Sequence, residues 1–317
     1  MTARNNCLLH VFVLTIVASL ASANDASAQG PRGVPGTVPA ARRPGVQTAP
    51  RPGVGPIQRP QGAGTVQRPQ GAFVATAPGL RQPPVTDHPL APALRWAYGA
   101  AEDAAKIQDY SCTFIKRERI DGQLSEHTAM ELKIRHEPFS VYMDFQGPPD
   151  VKGQEVIYVA GRNDGKLLAH TVGLRNALVG TVSLDPTGPM AMKGNKHPIT
   201  QIGIRNLTNR LIAMGENDSQ YGECQVQNFK NAKVGQRICT CIQFTHPTPR
   251  REFRYHIARI YVDDELNLPI RYESYDWPKQ AGEQPALLEE FTYMNLKLNN
   301  GFTDADFDVG NPAYRFE

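Results

Sequence analysis

A chain of 317 residues with a formal net charge of +3 and 40% hydrophobic residues is long enough for two average domains and carries too little charge to announce a nucleic-acid partner. Setting aside Arg4, seven arginines (32, 42, 43, 51, 59, 68, 81) and two aspartates (25, 87) leaves 26 basic against 29 acidic residues, so the basicity belongs to the N-terminal part. No GxSxG elbow, phosphate-binding glycine loop, GxGxxG or HExxH occurs, which removes the commonest signals of hydrolases, nucleotide enzymes and zinc proteases.

Residues 8–23, LLHVFVLTIVASLASA, form an apolar run behind Arg4 and lead to small-residue sites at Ala21-Ser22-Ala23 and Ala26-Ser27-Ala28. This reads as a secretory signal peptide over 1–28, cleaved after Ala23 or Ala28, and implies an exported protein of the bacterial periplasm or cell surface that is not integral to the membrane after cleavage. From 29 to 92 the chain turns to Pro, Gly, Gln, Ala and Arg, with RPGV and QRPQGA each repeated. Such a segment has too little apolar surface to offset its ordering entropy and is expected to be a disordered, basic tether.

The domain over 93–317 opens with Leu94, Tyr98, Ala101 and Ala105 at helical spacing. Strands follow over 111–120 and 127–136 around Asp121-Gly122, with Met130, Leu132 and Ile134 alternating against Glu131, Lys133 and Arg135. A third spans Phe139 to Phe145, and two more flank Asn163-Asp164-Gly165. The stretch 173–205 breaks this regularity with three prolines and several glycines, and reads as a crossover with a mobile loop before a short helix capped by Asn206. Strands at 221–230, 237–246, 252–263, 268–277 and 286–298 complete the pattern; 254–277 is its clearest hairpin, turning at Asp263, Asp264, Asn267 and Pro269. The fold class is α+β, mainly antiparallel: an open half-barrel of roughly ten strands with an N-terminal helix and a helical crossover over the concave face.

The order of helix, meander, helical interruption and second meander, with the Ile260-Tyr261-Val262-Asp263 strand end before Leu268-Pro269 and a terminal strand leading to Phe302 and Phe307, resembles the periplasmic lipoprotein carriers, open barrels with helices in the mouth. DYSCTFIKRERIDG at 109–122, KIRHEPFSVYMDF at 133–145, GQEVIYVAGRNDGKLLAH at 153–170 and HPITQIGI at 197–204 are similar to an uncharacterised exported bacterial family, domain of unknown function 1571. The second resemblance brings no activity. The first implies non-enzymatic binding: a concave apolar sheet face receiving a lipid, a lipidated protein or an apolar segment of a partner. The alternative is a cell-envelope scaffold or protein-interaction module whose tail or exposed sheet edge recruits a partner; an uncharacterised enzyme comes third.

Candidate ligand-binding residues lie in the irregular crossover: Met190 and Met192 as adaptable apolar contacts, His197 and Thr200 as polar ones, with Arg175, Asp185, Lys193 and Lys196 nearby. No catalytic residue, metal site or cofactor is assigned. Cys239, Cys241 and His246 lack a fourth ligand, and the Asp304, Asp306, Asp308 alternation lacks the glycine and final glutamate of a calcium loop. Glu289 and Glu290, adjacent on a strand, point to opposite faces. Counting outward from a turn near Lys233 brings Cys224 close to Cys241 as a disulfide candidate; the alternative is four buried thiols.

Overall fold

A computed structural model describes residues 87–172 and 180–316. The leader, nearly all of the tether and Arg175 lie outside these residues. The tether reading to residue 92 overshoots, because helix α1 (Ala91–Ala105) already has Leu90 buried at its N-cap and a proline in its first turn, where no backbone donor is lost.

The first meander consists of β1 (Asp109–Ile120), β2 (Gln123–Leu124), β3 (Thr128–His136), β4 (Phe139–Gly147), β5 (Glu155–Val159), β6 (Leu167–His170) and β7 (Thr181–Leu184). The chain then crosses through the short helix α2 (Pro189–Met192) and the long helix α3 (Ile204–Asp218) to β8 (Gln225–Val234), β9 (Arg237–Thr245), β10 (Ile257–Asp263), β11 (Pro269–Tyr275) and β12 (Leu287–Leu298). All pairs are antiparallel. The order β7-β6-β5-β4-β3-β1-β12-β11-β10-β9-β8, with β2 beside β1, is an open sheet of 12 strands whose halves are joined by β1 and β12. Among the described residues no helix is long and apolar enough to cross a membrane.

Alternation decides the faces. Met130, Leu132 and Ile134 lie opposite Phe114, Cys112 and Tyr110 on one side and, for the last two, Met143 and Val141 on the other, a continuous apolar surface. Helices α1 and α3 roof it through Leu94, Ile204, Leu207 and Leu211. Gly203 begins α3 at φ 108, and a Cβ there would lie 2.9 Å from both the Ile134 Cδ1 and the Tyr110 hydroxyl. The first helical amides find partners in the sheet: Ile204 N donates to the Tyr110 hydroxyl at 2.9 Å and Gly203 N to that of Tyr293 at 3.3 Å. Asn206 is therefore no cap; it lies inside the helix and its Nδ2 donates back to the carbonyl of Ile202 at 2.9 Å.

The Cys224–Cys241 disulfide is not formed: Cys112, Cys224, Cys239 and Cys241 are all free and buried. The β8–β9 turn falls between Val234 and Arg237, later than Lys233, and a register shift lies between Phe229 and Ala232. Each residue by which a turn moves shifts partners by two, so Cys241 faces Phe229. The three aspartates near the C-terminus serve local structure: Asp304 pairs with Arg135 at 2.8 Å and Arg162 at 2.6 Å, Asp306 accepts from Thr303 N at 2.9 Å, and Asp308 accepts from Gly310 N at 2.8 Å.

Candidate functional site

Where β1, β12 and β11 leave the apolar roof, the concave face turns polar. Glu118 lies opposite Glu289, which in turn lies opposite Ser274. Both glutamates are buried, at 2% and 5% exposure. A buried carboxylate survives only with partners, and the crossover supplies them. Lys116 Nζ reaches Glu118 at 2.6 Å and also bonds Asn195; Lys196 N donates to Glu118 at 3.2 Å. Glu289 receives His197 Nε2 at 2.9 Å and, more loosely, Lys196 Nζ and Arg210 at 3.3 Å each. Burial alone would raise the Glu289 carboxyl, but the His197 hydrogen bond and the charges of His197, Arg210 and Lys196 outweigh it and hold it at about 2. The adjacent Glu290 faces the other way, toward Arg271 at 2.8 Å and His127 at 2.6 Å.

His197 Nε2 also lies 2.9 Å from an Arg210 nitrogen. One ring nitrogen carries either a proton or a lone pair, so it cannot donate to Glu289 and accept from Arg210 together. Arg210 is thus left with one long bond to Glu289 and one contact that competes with His197.

Around this cluster opens a cleft of ≈ 200 Å³, lined by Lys196, His197, Arg210, Met214, Arg254, Tyr255, Tyr272, Ser274, Leu288 and Glu289. Burial pushes the hydroxyls of Tyr255 and Tyr272 well above the usual tyrosine range, so both stay protonated. Arg254 is held from both sides. Its neighbours Phe253 and Tyr255 are buried; Phe253 stacks on His246 at 3.8 Å, and Tyr255 donates to Asp218 at 2.8 Å, which also binds His246 at 3.0 Å. Arg254 itself is exposed and has no hydrogen bond or ion pair among the described residues.

Of the crossover candidates, His197 lines this cleft, whereas Met190, Met192 and Thr200 do not. Met190 is 72% exposed on α2, and the Thr200 carbonyl accepts from Asn206 at 3.2 Å. Sequence reasoning missed Glu118, Arg210, Arg254 and the inward role of Glu289. A signal was present: Lys116 and Glu118 continue the face set by Phe114, placing a charged pair where the strand otherwise points into the core. The concave face offered as a receptor for an acyl chain is filled by the protein's own α1 and α3 side chains. Glu118, His197 and Glu289 bring their ligand atoms within 4.8 Å of one another, as a metal site would. Their charge is already answered by Lys116, Lys196 and Arg210, so a divalent cation would enter a cluster that is not short of positive charge.

The model of the family described as "Protein of unknown function (DUF1571)" matches residues 107–316. No curated protein matches the chain. Among solved structures it is similar to the lipoprotein LppX of Mycobacterium tuberculosis (12% identity, 68% of this chain and 99% of that one, TM-score 0.39). It is also similar to a putative outer membrane lipoprotein-sorting protein domain from Vibrio parahaemolyticus (14%, 67% and 97%, TM-score 0.32) and to a chain of the Pseudomonas aeruginosa MucA/MucB complex (15%, 72% and 64%, TM-score 0.39). At these scores the strand order above, and not the likeness, establishes the fold.

Proposed function

The chain belongs to this family of unknown function, and we propose that it is an exported, non-enzymatic binding protein whose ligand is an amphiphile seated in the cleft. The observation that supports this is the two-sided lining: Met214, Leu288 and the rings of Tyr255 and Tyr272 meet Lys196, His197, Arg210 and Arg254 in one concavity. At ≈ 200 Å³ the cleft is smaller than the roughly 300–1,000 Å³ of drug-sized sites, so it suits a polar head and the first part of an apolar chain. The apolar run at 8–23 and its small-residue sites support export. Binding is favoured over catalysis because Glu289, the carboxylate of the cleft, is engaged by His197 at 2.9 Å and by Lys196 and Arg210 at 3.3 Å, and these partners hold it below the usual carboxylate range, which makes it a poor general base.

Native mass spectrometry with lipid extraction, on protein purified from the periplasm of an expression host, tests the reading. Bound amphiphile at fixed stoichiometry, displaced by a competing fatty acid, supports it; a mass that stays apo after challenge with lipids rejects it.

A second reading, an envelope interaction module, draws on the β8 edge. This ten-residue edge strand is largely exposed, and the β8–β9 hairpin presents Phe229 at 49% and Ile238 at 53% exposure, a surface on which another strand can pair. Co-purification of one stoichiometric partner, lost when Phe229 is replaced by Lys, would select it.

A further inference from the structure

The amphiphile reading leaves the chemistry of the polar end open, and the charges of the cleft bear on it. Three cationic side chains, Lys196, Arg210 and Arg254, line the cleft against one carboxylate, Glu289. Glu289 cannot satisfy all of them. Its closest bond, 2.9 Å, is to His197, and it holds Lys196 and Arg210 only at 3.3 Å. Arg210 also competes with Glu289 for the same imidazole nitrogen, so drawing its guanidinium toward another acceptor would remove a contact that cannot be a hydrogen bond while His197 donates to Glu289. Arg254 carries the clearest sign: an exposed arginine that lines the cleft between buried Phe253 and Tyr255 and has no hydrogen bond or ion pair among the described residues. Guanidinium groups offer forked donors that match the two oxygens of a carboxylate or phosphate. Beside them lie Met214, Leu288 and two tyrosine rings, which suit methylene groups and not bulk water.

We infer that the cleft binds the carboxylate or phosphate head of an anionic amphiphile, with Arg254 and Arg210 as the recognising pair and Met214 and Leu288 as the wall for the start of its chain. The inference rests on the amphiphile reading and specifies its head group.

Isothermal titration calorimetry of the purified full chain would use laurate, 1-lauroyl lysophosphatidate, the uncharged ester monolaurin and inorganic phosphate. The expected result is saturable binding of one or both anionic lipids, with monolaurin weaker by roughly tenfold or more. Arg254→Gln should weaken the anionic lipids by a similar factor while leaving the unfolding midpoint unchanged, since Arg254 is exposed and makes no hydrogen bond or ion pair among the described residues. Wild-type affinity should fall with added salt. Equal binding of monolaurin and the anions, indifferent to Arg254→Gln, would overturn the head-group inference and leave the amphiphile reading standing. Absence of binding by every lipid would overturn both. Inorganic phosphate binding as tightly as lysophosphatidate would keep anion recognition by the arginines and overturn the amphiphile reading.

Discussion

Glu289 shows how one residue ties the crossover to the sheet. Its carboxyl is held at about 2 against an ordinary value of 4.5, so the folded state binds its proton less readily than the unfolded chain. The stabilisation is therefore complete above pH 4.5 and is lost as pH falls from there toward 2. With the side chain only 6% exposed, solvent screening removes little of it, and the shift corresponds to about 3 kcal/mol at most. Glu289→Gln should lower stability in urea by up to about that amount at pH 7, with the difference from wild type shrinking below pH 4.5. A difference that stays constant down to pH 2 would mean that packing, and not charge, anchors the crossover.

At the scale of elements, α3 is a clamped roof. Its N-terminal amides bond the hydroxyls of Tyr110 and Tyr293, and its last residue, Asp218, binds His246 and Tyr255. Two glycines on this path differ in kind. Gly203 has φ 108 and would drive a Cβ to 2.9 Å from both Ile134 and Tyr110, whereas a Cβ at Gly215, within the helix, would meet the tip of Leu94 at 2.7 Å. Gly203→Ala should cost about 2–4 kcal/mol through strain and overpacking. Gly215→Ala should stay within about 1 kcal/mol, because helix propensity offsets the shift of Leu94. Urea midpoints of the two variants check this, and equal losses would show that α3 does not sit as tightly on β3 as these distances require.

The same elements show what local sequence can tell. The Asp121-Gly122 and Asn163-Asp164-Gly165 turns take positive φ throughout, as their residue types demand, and the alternation of 130–135 fixes its faces. The β8–β9 register was not legible, because a bulge with Asn231 at φ 61 and a turn placed two residues later leave no apolar alternation to correct the count. The site was hidden for a different reason. Glu118 and Glu289 come from strands near opposite ends of the domain that pair only in the folded sheet, and their cations arrive from the crossover. His197 was legible as a candidate because it sits in an irregular crossover; its partners Glu289 and Arg210 were not.

At the scale of the described domain, α1 and α3 roof the concave face of the sheet, and the segment after β12 covers the other face over β4 and β5. Phe302, Phe307, Val309, Tyr314 and Phe316 pack on Tyr142, Ile157 and Val159, with Tyr314 stacked on Tyr142 at 4.0 Å. Glu155, 1% exposed, accepts the Arg315 backbone amide at 2.6 Å and its guanidinium at 3.1 Å. Deleting 302–317 would expose these apolar groups and leave a buried carboxylate whose one remaining side-chain hydrogen-bond partner among the described residues is Tyr142, at 3.1 Å. The expected loss is on the order of 5 kcal/mol. Arg315→Ala keeps the backbone bond and the aromatic cover, so it should cost only about 1–2 kcal/mol. Chemical unfolding of the two variants separates these contributions: a small loss on deletion would mean that the outer face of β4 and β5 is stable in water, and equal losses would assign the whole effect to the Arg315 side chain.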